Sequence, residues 1–297
     1  MSNATSKLSA PPSPLIEFWY HFKSHLGGLI GLVIITFFLF LGLFAEVIAP
    51  YDPAQIFPGK ATLPPFFAQG GSMEFILGTD DVGRDILSRL IFGGRISIVY
   101  SFLVVLLSGT IGTSLGLIAG YYGGAVDRMT MRLVDIMMSL PSILLAIVVA
   151  SILGPGLLNT VIAVSIVSIP HFIRLIRAQT MAEMKRPYVT ASKTFGASSA
   201  RQMFINILPN CMAPLIVQAT IGFSNGILDI AALGFLGLGA KPPLSEWGTM
   251  LADARAYIES APWMVTLPGI CILLVVLGFN LLGDGLRDAL DPRLKKS

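Results

Sequence analysis

Charge is what this chain has least of. Of its 297 residues only 12% are Asp, Glu, Lys or Arg, while 54% are hydrophobic and the mean hydropathy is +0.76. A water-soluble domain carries about 25% charged residues, so the composition excludes a soluble globular fold and implies an integral membrane protein. Cysteine is nearly absent. Cys211 and Cys271 stand alone, without CxxC spacing, which excludes a disulfide framework and a zinc site and leaves two thiols for apolar packing. The three histidines form no metal-ligand constellation. No phosphate loop of the G-x-x-x-x-G-K-[ST] kind occurs, so ATP hydrolysis by this chain alone is not expected and no cofactor is assigned to it. HExxH and Ser/His/Asp patterns are missing too, so no catalytic residue is proposed. The net charge of +3 gathers at the ends of apolar runs, which does not suggest a nucleic-acid partner. The first 26 residues are polar and Pro-rich, and the first apolar run is too long for a signal-peptide core, so no cleavable leader is expected.

What the chain has is long apolar runs. A spanning helix needs about 20 apolar residues, and six segments qualify: 27–49, 96–120, 131–153, 157–173, 213–238 and 262–282. Gly154-Pro-Gly156 separates the third from the fourth and predicts an antiparallel hairpin. The predicted fold is an all-α integral membrane protein of six transmembrane helices. Before the first span, Pro14–Lys23 reads as an interfacial amphipathic helix within a tail of residues 1–26. A loop of residues 50–95 follows that span, a five-helix core runs over 96–283, and a second tail covers 284–297.

Lys and Arg set the orientation. With both termini inside, fourteen of the 20 basic residues fall on inner segments and six on outer ones, which predicts N-in/C-in and a cytoplasmic 174–212 loop. Arg84, Arg89 and Arg95 run against the rule, in a long outer loop where charge weighs less. That loop contains Thr79–Phe92, expected to be a capped amphipathic helix ended by Gly93-Gly94. In the second span, Gly112, Gly116 and Gly120 recur every four residues and predict close approach of a neighbouring helix.

The 174–212 loop is the most informative segment. Pro187 suits the first turn of a helix and Gly196 the position just past its end. Ser198 can cap a second short helix, and Pro209 is expected to break the chain before the next span. A rigid, basic helix–Gly–helix elbow is thereby predicted. Lys185, Arg186, Lys193 and Arg201 suit either acidic groups on a partner or anionic lipid.

This segment resembles the coupling motif of ABC-importer permeases: Glu-Ala-Ala, three residues, Gly, nine residues, Ile, one residue, Leu-Pro. Thr190-Ala191-Ser192, Gly196, Asn206, Leu208 and Pro209 fill those positions. Thr190 stands where the pattern has Glu, Ser192 where it has the second Ala, and Asn206 where it has Ile. Residues 77–97, Leu236-Gly-Leu-Gly239 with Trp247-Gly248, and Gly283–Arg293 resemble the peptide/nickel branch of these permeases, most of all the second permease subunit of bacterial dipeptide importers.

The resemblance implies an inner-membrane subunit forming half of a path for dipeptides or short peptides. It implies a homologous second permease, two cytoplasmic ATPases holding ATP and Mg²⁺, and a periplasmic peptide-binding protein. Nickel, haem precursors or oligosaccharides stay open as cargoes. An ion-coupled secondary carrier is the reading from another class, and would need paired intramembrane carboxylates. Asp229, with Asn225 one turn before it, and Asp135 are the path candidates, because an ionised carboxylate near mid-bilayer costs at least about 2.5–3.5 kcal/mol unless it meets a partner or a wet cavity. A hydrogen bond to a neighbouring span is the competing explanation, favoured for Asp135 and evenly balanced for Asp229.

Overall fold

The computed structural model describes residues 14–290, and among them every regular element is helical. Helix α1 (Pro14–Ser24) leads into α2 (Leu26–Leu43), the first span, with a short α3 (Ala45–Ile48) completing its last turn. Residues 49–85 wind back over the end of the bundle to α4 (Ile86–Tyr122). At 1.5 Å per residue, the 37 residues of α4 measure about 55 Å, far more than the about 30 Å hydrocarbon core. The separate outer helix expected over Thr79–Phe92 is not there. Asp85 caps α4 by accepting from the Ser88 N–H at 2.8 Å, and the helix runs straight through Gly93 and Gly94. Those glycines make room instead of a stop: a Cβ on Gly94 would sit 2.9 Å from the Trp247 ring.

The glycine stripe predicted further along α4 is where α7 (Leu157–Glu183) lies against it. A Cβ on Gly112 would come within 2.5 Å of Phe172, on Gly116 within 2.7 Å of the Ile173 carbonyl, and on Gly120 within 2.7 Å of Thr180. Contact positions on both helices rise together, so α4 and α7 are parallel. The chain between them must therefore travel back, and it does so through a bent pair, α5 (Gly124–Met138) and α6 (Ser142–Leu153), which meet at 93°. A straight third span over 131–153 was expected. Pro141 prevents it, since proline disfavours helical geometry at the residue before it and lacks the N–H that would continue the ladder.

Helix α7 continues to Glu183, ten residues past its expected end, with Pro170 inside it. The next long helical stretch also begins earlier than expected. It runs over Ser199–Phe235 as a turn, α9 (Ser199–Arg201), a π-helical segment (Gln202–Ile207), a 3-10 segment (Leu208–Cys211) and α10 (Met212–Phe235). Pro209 does not break the chain. The π-helical and 3-10 turns absorb its missing donor, and the Leu208 N–H reaches back to the Met203 carbonyl. After α11 (Trp247–Ala254), α12 (Trp263–Leu290) packs antiparallel to α2 and α10, with Gly28 against Gly285 and Phe223 stacked on Phe279 at 3.8 Å.

Among the described residues five helices are long and apolar enough to cross a membrane, or six when the bent pair is counted as one span. Directions along the bundle alternate consistently with six traversals. Cys211 is buried and Cys271 half-buried, both as free thiols.

Candidate functional site

Helix α8 (Pro187–Thr194) stands off the bundle between α7 and α9. Pro187 is at its first turn, and Gly196 ends it at φ +80°, the left-handed conformation that glycine adopts without strain. The Ala197 N–H returns to the Ser192 carbonyl at 3.1 Å and the Gly196 N–H to the Lys193 carbonyl at 3.0 Å, so the end of α8 is closed by its own backbone. Ser198 then caps the next turn, its Oγ accepting from the Arg201 N–H. The elbow expected from the sequence is thus present, although its second arm is the start of the fifth span and no separate short helix exists.

One apolar side chain moors α8. Val189 is 3% exposed and packs with Leu117, Ile176, Met203, Ile207 and Cys211, which joins α8 to α4, α7 and the fifth span at once. Opposite it, Thr190, Ala191, Lys193 and Thr194 are exposed, and Phe195 is 91% exposed. Leu208 is half-buried in the same cluster and Pro209 is exposed. Ser192 is half-buried, and its Oγ accepts from Asn206 Nδ2 at 2.8 Å.

A tyrosine that the sequence reading did not single out ties the remaining pieces together. The Tyr188 hydroxyl donates to Glu183 Oε2 at 2.6 Å and accepts from Asn210 Nδ2 at 3.1 Å. Burial, reinforced by the Glu183 carboxylate, pushes that hydroxyl up to about 12, so it stays protonated and able to donate. Its spacing from Glu183 and Asn210 gave no sequence signal, because the three meet only once α7, α8 and the fifth span converge.

The path candidates separate into two environments. Asp135 on α5 pairs with Arg174 of α7 at 2.9 Å, both side chains about half exposed. The neighbouring pair, Asp127 with Arg177, is less exposed and bidentate. Asp135 is therefore hydrogen-bonded to a neighbouring span. Asp229 has no cationic partner among the described residues. It is half-buried on α10, beside exposed Asn225, on a face that also leaves Ile221 and Leu228 uncovered.

At the opposite end of the bundle, Trp247 is fully buried. It sits in the Gly93/Gly94 notch, edge-on to Phe38, and its indole N–H donates to the Leu90 carbonyl at 3.1 Å. Glu246 caps α11 by accepting from the Gly248 and Thr249 N–H groups at 2.8 and 2.9 Å, and burial pushes its carboxyl up. Arg84, Arg89 and Arg95, which the expected orientation puts outside, are all ion-paired here. Arg84 and Arg89 share Asp80 and Asp253, and Arg95 reaches Glu46 at 3.2 Å.

Comparison with known proteins agrees with this architecture. Residues 112–296 match the family described as binding-protein-dependent transport system inner membrane component, and residues 13–65 match the N-terminal TM domain of oligopeptide transport permease C. The chain is 56% identical over 287 residues to the dipeptide transport system permease protein DppC of Haemophilus influenzae, covering 97% of each chain. It is 56% identical to the protein of the same name in Escherichia coli strain K12, covering 99% of this chain and 98% of that one. It is 42% identical to the glutathione transport system permease protein GsiD of Pectobacterium atrosepticum, covering 95% and 92%. Among solved structures, an inward-facing conformation of the MetNI methionine ABC transporter matches with a TM-score of 0.55 at 20% identity, over 69% of this chain and 98% of that one, a likeness of fold.

Proposed function

Since the chain belongs to the binding-protein-dependent transport system inner membrane components, as a multi-pass permease, we propose that it forms half of a path importing dipeptides and other short peptides, worked through the α8 elbow by ATP hydrolysis in partner subunits. The observation that carries this reading is the build of the elbow. Helix α8 is held to three spans by Val189, yet it turns Phe195 and a basic rim outward, uncovered by any of the described residues. Such an element suits transmission. A partner that grips it can bias α7 and α10 together, and a rigid lever between two arrangements is what alternating access requires.

In this reading, Thr190, Ala191, Ser192, Gly196, Leu208 and Pro209 shape the coupling site. The ATPases bring the Mg²⁺ and ATP, the termini and α8 face the cytoplasm, and the Trp247 end faces the periplasm and the peptide-binding protein. The homologous second permease covers the open face of α10, which places Asn225 and Asp229 along the path between the two subunits. A carboxylate there suits the ammonium group of a peptide. The glutathione permease among the relatives favours glutathione as a second cargo handled by the same machine.

Uptake of a labelled dipeptide into proteoliposomes tests this, with this chain, its second permease and its ATPases in the membrane, binding protein outside and ATP inside. ATP-dependent accumulation that vanishes when this chain is omitted is the expected result. Uptake by this chain alone, driven by an ion gradient, would overturn it.

A further inference from the structure

Two of the three departures from the coupling motif touch each other. Where the family pattern sets an alanine and an isoleucine, this chain has Ser192 and Asn206, and they are hydrogen-bonded at 2.8 Å. The bond belongs to a closed circuit. Asn206 Nδ2 also donates to Gln202 Oε1 at 3.3 Å, and Gln202 Nε2 donates to the Val189 carbonyl at 3.4 Å. The circuit thus leaves α8 at Ser192, passes through two residues of the fifth span, and returns to α8 at Val189. Gln202 is fully buried, and both donor hydrogens of the Asn206 amide are used within the ring. Asn206 and Gln202 also lie in the π-helical segment, where the local backbone departs from the regular ladder.

A half-satisfied polar pair at such a joint is worse than an apolar one, because a buried group without its partner keeps its full desolvation cost. Serine against isoleucine, or asparagine against alanine, breaks the ring, whereas both family residues together replace the Ser192–Asn206 hydrogen bond by an apolar contact and leave only Gln202 Oε1 without the donor it has here.

We propose that Ser192 and Asn206 are a matched pair of positioning residues, forming the joint through which movement of α8 reaches the fifth span. The inference rests on the coupling role proposed for α8. It gives that role a mechanical fixture in which replacing both residues costs less than replacing Asn206 alone, the residual cost being the Gln202 Oε1 left without its donor.

The test compares S192A, N206I and S192A/N206I in the full reconstituted transporter, with Gly196→Pro as control. Dipeptide uptake, ATP hydrolysed per peptide imported, and the ATPase subunits retained on purification are all read. S192A is expected to lower uptake about threefold in the parent and N206I about tenfold, with ATPase subunits retained and more ATP spent per peptide. In the N206I background, S192A is expected to raise uptake. That reversal of sign is the signature of the pair. If S192A acts in the same direction in both backgrounds, or the single variants lose their ATPase subunits, the joint is overturned while the loss of import by Gly196→Pro leaves the coupling role standing. Normal import by Gly196→Pro would remove both.

Discussion

At the Trp247 end of the molecule an indole is wholly enclosed, a buried carboxylate caps the helix beside it, and two arginines are locked among aspartates. At the other end α8 encloses a single residue of its own, Val189, and beside the buried Gln202 its remaining attachments are side-chain hydrogen bonds at a half-exposed surface. The first arrangement spreads burial over a large aromatic and several charge-assisted bonds, so it moves only as a block. The second allows α8 to be gripped and shifted while staying registered to the bundle. The contrast locates where rigidity is built in and where leverage is available.

The sharpest break in that contrast is Gly196→Pro. Proline holds φ near −65°, and Gly196 stands at +80°. The elbow cannot close, so ATP-dependent uptake is expected to vanish while membrane insertion persists, as read by uptake and by yield of purified chain. Normal uptake would show that the elbow is not the lever.

Trp247→Ala attacks the other end. Removing a fully buried aromatic typically costs about 3–5 kcal/mol, so the thermal transition of the purified complex should fall by many degrees. An unchanged transition would mean that the Trp247 end is not the rigid block its packing implies. Val189→Ala should act in the opposite style. It removes two methylene-sized groups, about 1–2 kcal/mol by transfer, and is expected to raise the ATP spent per peptide with little change in melting.

Asp135→Asn should do least to transport. Its partner Arg174 is half exposed, and such pairs contribute about 0–1 kcal/mol, so uptake should stay within about twofold. A large loss would return Asp135 to the transport path. Finest of all is the titration of Tyr188. An acid whose folded value lies above its ordinary one adds stability below the ordinary value, here 10.0, and loses it as pH rises toward about 12. Absorbance of tyrosinate should therefore show one late-titrating phenol that disappears in Tyr188→Phe.

Much of this was legible in the residues. Apolar run length disclosed the spans, and the four-residue glycine spacing disclosed the α4–α7 contact, because only a missing Cβ permits that approach. Pro187, Gly196 and Ser198 disclosed both ends of the elbow, since each meets a local backbone requirement. Gly93-Gly94 misled, because a glycine pair reads alike whether it stops a helix or admits an indole from 153 residues further along the chain. Pro209 misled for a related reason: a π-helical turn can supply what proline withholds, and nothing local announces it. Pro141 had the converse effect, bending a span that hydropathy alone made straight.

Sequence by itself determined that this chain lives in a membrane and which family pattern it carries, because hydropathy, charge and turn chemistry are properties of neighbouring residues. Tertiary structure alone decided that Trp247 locks one end, that Asp135 is paired while Asp229 meets no cation among the described residues, and that Ser192 meets Asn206. Each of these depends on which distant helices come together, and packing in three dimensions sets that.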